Sequence, residues 1–473
     1  MSIKRYSATQ DATIVNAYEP NLLTRGTGSN TGQADIMEIF SIYGQAASSS
    51  VELARSLIQF DIDTMISDRN AGSIPVSGSV TFYLNIYNAR HGFTLPEQFN
   101  INVLPVTKSW EEGHGLDMDN YTDLTYDGYG TNWDNAASGS AWENEGGDFV
   151  TDYSTNQYFE RGDENIEVDI TDITERWIAG TQANYGVALK LSGSHEQAVR
   201  SYYTKRFFAR GSEYFFKRPT IEARWDSTLK DNRGNFYVSS SNASATENLN
   251  SLYLYNFVRG QLRDLPNVGT GSVYTSFHTS ASGGEELTVV TPTYPVTATW
   301  VASGTYLATF ALETTASTVF DRWYSGSVYY YTGSFETNSQ LSNLIVDNTP
   351  YIVTIENLKP IYAKEEKPRF RVFTRKKDWK PNIYVSTTNN IEADIIEDLY
   401  FKVTREIDGL DIVNWGTSSA TEHTRTSYDL SGSYFDFDMN ILQEDYSYRF
   451  YLGYKNFANK FQELPESFKF RVE

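Results

Sequence analysis

Residues 169–191, Asp-Ile-Thr-Asp-Ile-Thr-Glu-Arg-Trp-Ile-Ala-Gly-Thr-Gln-Ala-Asn-Tyr-Gly-Val-Ala-Leu-Lys-Leu, constrain the fold more than any other stretch of the chain. Ile170, Ile173 and Trp177 fall at i, i+3 and i+7, the spacing of one helical face. Asp169 is placed to cap the start, Asp172 and Glu175 sit where the helix dipole favours acids, and Gly180 is placed to end the helix. Tyr185, Val187, Leu189 and Leu191 then alternate as on a half-buried strand. One short helix handed straight into a strand, inside a strand-and-turn sequence, predicts a β fold closed by a helical plug. Ile170, Ile173 and Trp177 are its predicted core residues.

The remainder of the chain fits that picture. Aromatic residues make up 15% of the sequence, led by 34 Tyr and 27 Phe, a composition that suits pleated surfaces. Ser-Gly-Ser turns recur at 77–79, 138–140, 192–194, 325–327 and 431–433, beside strand-like runs such as Val80–Tyr87. Their spacing is irregular, which argues against a solenoid or a propeller. At 473 residues the chain exceeds one hydrophobic core. The predicted architecture is therefore all-β, with a jelly-roll sandwich carrying one short helix over residues 1–225. The run Ile221–Trp225 reads as its closing strand and 226–234 as a polar linker. Two immunoglobulin-like sandwiches are predicted over 226–360 and 361–473. The basic run Lys364, Lys367, Arg369, Arg371, Arg375, Lys376, Lys377 and Lys380 reads as a solvated edge strand near the junction of the two.

Charge and chemistry narrow the function classes. A net charge of −21 argues against nucleic acid as a partner. Cysteine is absent, which excludes disulfides and thiolate-ligated metals. The start, Met-Ser-Ile-Lys-Arg-Tyr-Ser, lacks the apolar run of a secretory signal, and no stretch approaches a membrane span. The expectation is a protein made in a cytoplasm and released by lysis or within a particle.

The 111–165 region is the place to look for a ligand. Asp117, Asp119 and Asp123 offer oxygens two and four residues apart, as a structural calcium site would need. The EF-hand glycine and the spaced glutamate are missing, so a solvated acidic loop is the favoured reading. Trp133 and Trp142, with Tyr121, could form an exposed platform for stacking on sugar rings. An acidic glycan would also need cations, for which Lys190, Arg200, Lys205, Arg206 and Arg210 are candidates. Trp110 and Trp177 read as core anchors. The histidines His91, His114, His195, His278 and His423 lack metal-ligand spacing, and Glu111 and Glu112 are adjacent rather than opposed. No catalytic residues are assigned, and a non-enzymatic protein without a resident cofactor is expected.

Several segments together carry a resemblance. They are Asp11–Ile14, the Arg-x-Leu-x-x-Phe-Asp strand Arg55–Asp61, Val80–Tyr87, Thr107-Lys108-Ser109-Trp110-Glu111-Glu112-Gly113, Asn132-Trp133 and the 169–191 segment. In this order residues 5–225 resemble the disaggregatase-related repeat (DNRLRE-type) family, a carbohydrate-binding jelly-roll module. That resemblance implies a jelly roll of microbial surface proteins and, in some members, binding of acidic polysaccharide. The acidic insertion over 111–165 departs from the family pattern. The three-part layout is similar to virion structural proteins of marine contractile-tailed phages, cyanophage-like. It implies a neck, collar, tail or capsid-decorating adaptor that contacts other virion proteins and copies of itself. Binding of a host or environmental acidic glycan is the alternative.

Overall fold

The computed structural model describes residues 2–92, 95–116, 129–292, 295–338, 350–379, 393–417, 422–456 and 459–473. Asp117, Asp119, Tyr121, Asp123 and Lys380 lie outside the described residues. The chain is all-β and divides into two compact units. Ser2–Asp226 makes up one, and Ser227–Thr417 with Thr424–Glu473 the other.

The first unit holds strands β1 (Ile3–Val15), β2 (Ile36–Tyr43), β3 (Val51–Phe60), β4 (Thr81–Ile86), β5 (Phe99–Pro105), β6 (Asn135–Ala137), β7 (Ser140–Ala141), β8 (Thr155–Phe159), β9 (Ile166–Asp169), β10 (Val187–Leu191), β11 (Tyr202–Phe208) and β12 (Thr220–Arg224). One sheet runs β8-β5-β10-β3-β1 and the other β1-β12-β4-β9, with β2 and β11 paired beside β3. The thirteen-residue β1 serves both: Ile3–Ser7 pairs with β12, and Ala8–Val15 with β3. The connections β3→β4, β4→β5, β8→β9, β9→β10 and β11→β12 each change sheet, which is the jelly-roll habit of closing a sandwich. Phe82, Leu84, Phe99, Ile101, Val103, Phe159 and Phe207 fill the space between.

Three helices are found among the described residues where one was predicted. Helix α1 spans Ile62–Asn70, α2 Thr171–Ile178 and α3 Gly193–Glu196. Only Met65 of α1 is buried, so the sequence shows no apolar period there. Its start is instead set by Asp61, whose side chain accepts from the amides of Asp63 and Thr64. Helix α2 is the expected plug. Ile170, Ile173 and Trp177 all sit in the main core, 2%, 1% and 3% exposed. Asp169 accepts from the Thr171 amide at 2.8 Å, while Ile170 occupies the cap position. Gly180 adopts φ +68°, and the amides of Gly180 and Thr181 return to the carbonyls of Trp177 and Arg176, a Schellman stop.

Strand β10 departs from the half-buried expectation. Val187, Leu189 and Leu191 enter the main core, but Ala188 is also buried, under Trp110, Trp133 and Trp142. Both faces are covered because segments of the 106–149 region fold back over the outer face.

The second unit begins with β13 (Phe236–Tyr237), β14 (Asn250–Tyr255), β15 (Phe257–Val258), β16 (Gln261–Leu262), β17 (Val273–His278), β18 (Val289–Thr291), β19 (Val296–Ala302), β20 (Thr305–Leu312), β21 (Thr318–Ser325) and β22 (Val328–Asn338). Strand β19 pairs with β17 through Val296–Ala298 and with β20 through Thr299–Ala302, so it joins two halves of a sandwich. Phe277, Phe310, Phe335, Tyr306 and Trp323 pack between them.

It continues with β23 (Tyr351–Ile355), β24 (Ile361–Tyr362), β25 (Arg369–Lys376), β26 (Leu399–Arg405), β27 (Asp411–Val413), β28 (Ser427–Asp429), β29 (Gly432–Asp436), β30 (Ser447–Lys455) and β31 (Phe461–Val472). The sheets β23-β25-β29-β28 and β24-β31-β30-β26-β27 reproduce the A-B-E-D and G-F-C orders of an immunoglobulin-like sandwich. Tyr448, at the start of β30, donates its hydroxyl to the Gln443 carbonyl at 2.7 Å and accepts from the Gln443 amide at 3.0 Å. This is the tyrosine corner of such folds.

Two sequence expectations change here. The basic run is not an edge: β25 lies between β23 and β29, with alternate residues buried. Its charges are spent on acids, Arg369 on Asp436, Arg371 on Asp429, Lys367 on Asp438 and Lys364 on Glu444. The polar linker is an ordered strap. Leu229 and Asp231 exchange backbone bonds with Tyr428, and Arg233 reaches the other sandwich of the same unit as a fork on Asp321, both bonds 2.7 Å. Trp323 donates to the same carboxylate at 2.6 Å.

Candidate docking surface

The motif residues of the first unit are structural. Trp133 and Trp142 do not form an exposed platform: they are 4% and 6% exposed and pack with Trp110 against Ile14, Leu57 and Val106. The Trp110 and Trp142 indoles donate to the carbonyls of Tyr185 and Asn132 at 2.8 and 2.9 Å. An aromatic ring whose neighbours are apolar and whose N–H is already bonded belongs to a core. The cation of the Arg-x-Leu-x-x-Phe-Asp strand is also internal. Arg55 forks onto Glu196 at 3.0 Å, donates to the Gly146 carbonyl at 2.7 Å and lies over Trp133.

The other cations proposed for an acidic ligand are engaged as well. Lys190 pairs with Glu196, Arg206 with Glu38 and Arg210 with Glu112. Lys205 is 1% exposed and donates to the Gly162 and Glu164 carbonyls at 2.8 and 3.0 Å. Burial lowers its ammonium to about 8, against the pull of Glu164 and Asp163. Arg200 remains exposed beside Tyr202.

Two buried carboxylates in this unit are displaced in opposite directions. Burial raises Asp11 from 3.8 to about 7; Glu112 adds to the rise, while the Arg210 amide and guanidinium oppose it. Burial also acts to raise Glu222, but Arg5 and Arg224 on either side overcome it and hold the group at about 2. These groups lie within ion-pair networks of the fold. A cavity of about 360 Å³ opens at the start of α2, lined by Asp152, Tyr153, Asp169 and Asp172 among others. Among the described residues no group of three or more His, Asp or Glu is placed to hold a metal ion. No helix among them is long and apolar enough to cross a membrane.

The surface that stands out lies in the second unit, on the face formed by β17, β21 and β22. Alternation along these strands sends Val319, Trp323, Phe277 and Phe335 into the core. It leaves Tyr274, Tyr324 and Tyr329 outside, where register places Tyr324 opposite both of the others. Their ring centroids are 6.0 and 5.5 Å apart. Tyr274 is 38% exposed and Tyr329 55%. The Arg322 guanidinium lies over the Tyr329 ring, 4.3 Å from its centroid. Gly283 lies beside it, where a Cβ would stand 2.4 Å from an Arg322 nitrogen, and its φ of +104° favours glycine at this turn. Among the described residues no carboxylate pairs with Arg322, and its Nε has no hydrogen-bond partner.

Sequence reasoning missed this face because its residues look like ordinary strand tyrosines. The available signal was the dense Tyr-Tyr-Tyr run at 329–331 after a Ser-Gly-Ser turn, with an arginine at 322.

No family model and no curated protein matches the chain. Solved structures give only distant likenesses. A marsupial T cell receptor is 8% identical, with a TM-score of 0.17, over 51% of this chain and 71% of that one. The Yersinia pseudotuberculosis adhesin InvE is 12% identical, with a TM-score of 0.16, over 50% of this chain and 56% of that one. A Salmonella alpha-2-macroglobulin is 9% identical, with a TM-score of 0.16, over all of this chain and 34% of that one. Likeness this slight assigns neither family nor function.

Proposed function

We propose that this protein is a non-enzymatic structural component of a tailed-phage virion, a neck, collar, tail or capsid-decorating adaptor that works by docking. The observation that carries the docking part is the Tyr274–Tyr324–Tyr329 face with Arg322 beside it, which no carboxylate among the described residues pairs. Tyrosine and arginine are the residues that concentrate binding energy at protein interfaces. In a chain of net charge −21, a cation without an acid partner is an open position for an acidic group on the partner. The virion part rests on the similarity of layout to phage structural proteins described above.

The test is the protein content of purified particles. The chain is expected in them at a fixed copy number, and the double variant Tyr329→Ala with Arg322→Ala is expected to assemble poorly. Presence in lysate alone, never in particles, would sink the virion reading.

One observation favours a second reading. The same rings could stack on sugar faces while Arg322 takes a carboxylate or sulfate, which describes an acidic glycan site. A glycan array with acidic polysaccharides separates the two: binding lost in Tyr329→Ala supports the glycan site, and an array without binders removes it.

A further inference from the structure

Strand β22, which carries Tyr329, has an open side. Strand β21 pairs with it from Val328 to Glu336. On the other side β13 reaches only Thr337 and Asn338. Among the described residues of this unit, no strand pairs with 328–336 on that side. The direction of the exposed backbone groups follows from two bonds. The Thr337 amide donates to the Ser317 carbonyl on the β21 side, and the Asn338 carbonyl accepts from Val238 on the other. An antiparallel ladder alternates, so from Tyr331 to Thr337 the odd-numbered residues turn their backbone groups to β21. Thr332, Ser334 and Glu336 therefore turn theirs outward.

An edge of this kind is a template for another strand unless something blunts it. Two of the usual devices are missing here. From Val328 to Glu336 there is no proline and no lysine, and the one bulge lies near the hairpin end, at Tyr330 of β22, which leaves 331–336 regular. Val328, Tyr329 and Tyr331 are 49%, 55% and 43% exposed.

We infer that β22 pairs antiparallel with β22 of a second copy of this chain, about a two-fold axis. The inference rests on the docking reading above and names the partner. Charge decides for a second copy. The edge from 328 to 336 carries a single charge, Glu336, in a protein of net charge −21, so it is the line along which two copies can meet without repulsion. With Thr332 facing Thr332 of the second copy, Ser334 and Glu336 of each copy run toward the Val328–Tyr330 end of the other. No like charges oppose each other across the new ladder. A self-complementary strand needs only one surface to close a dimer. The tyrosine faces of the two copies would then sit on one widened sheet.

Sedimentation velocity of the full chain over a concentration series tests this. A monomer–dimer equilibrium is expected. Thr332→Pro removes an outward amide that β21 does not use, and Ser334→Lys adds a charge to the edge. Each is expected to weaken dimerisation by roughly tenfold or more, the effect of about 1.4 kcal/mol, with the thermal melt of the chain retained. A wild-type chain that stays monomeric, or a dimer indifferent to both substitutions, would overturn the inference. Particle content reads out separately: a monomer found in virions defeats only the dimer, and a dimer absent from virions defeats only the virion reading.

Discussion

Trp177→Ala is the sharpest probe of the helical plug. The side chain is 3% exposed and packs in the main core of the first unit with Ile170 and Ile173. Truncating a buried Phe or Trp to Ala costs about 3–5 kcal/mol, from lost transfer energy and the cavity left behind. Trp177 carries a handicap that lowers this figure, because its Nε1 is buried without a hydrogen-bond partner. An unmade bond of that kind costs about 1–3 kcal/mol in the native state, and truncation relieves it. With about 2 kcal/mol of relief taken off, the expected net loss is about 1–3 kcal/mol, a fall of about 2–12 °C for a unit of this size. Trp177→Phe keeps most of the packing and removes the unsatisfied N–H, so it should lie within about 1 kcal/mol of wild type. Calorimetry of the full chain, following the transition of the first unit, measures both. An unchanged melt in the Ala variant would refute the plug. A Phe variant as damaged as the Ala variant would refute the reasoning about Nε1.

Asp11 and Glu222 should give the first unit opposite responses to pH. The folded state raises Asp11 to about 7, so its contribution to stability falls as pH climbs from about 4 to about 7, and Asp11→Asn should remove that slope in urea midpoints. The folded state holds Glu222 at about 2, so its contribution is full above the ordinary carboxylate range and disappears as pH drops toward 2, a loss Glu222→Gln should abolish. Asp321→Ala strands Arg233, 9% exposed, without its fork, and should destabilise the second unit by about 3–5 kcal/mol in chemical denaturation; a loss below about 1 kcal/mol would show that the strap is not pinned there.

Much of the fold could be read from the sequence where the pattern was local. The α2 spacing placed Ile170, Ile173 and Trp177 in the core, and Gly78, Gly139, Gly326 and Gly432 of the Ser-Gly-Ser turns all adopt positive φ. Gly193 of the turn at 192–194 instead begins α3, because the Ser192 carbonyl accepts from His195 and Glu196 and starts a helical turn. Failures came where long-range contacts decide. Nothing local tells Trp133 that it will meet Ile14 and Leu57, or Arg371 that Asp429 will lie across from it. The tyrosine face was illegible for the same reason, since register between β17, β21 and β22 brings its residues together.

The pairing of the first and last strands of each block decides how it would answer a pull on its ends. In the first unit Ile3 lies opposite Arg224 in an antiparallel pair, so the chain enters and leaves side by side. Tension applied there loads one hydrogen bond at a time, like a zip opened from its slider. In the two sandwiches that follow, an early strand lies parallel to the last one, β13 on β22 through Phe236 and Thr337, and β24 on β31 through Ile361 and Arg471. Parallel ends load their bonds together in shear. Stretched from its termini, the chain would give way first at the β1–β12 seam, while the later sandwiches keep their shape.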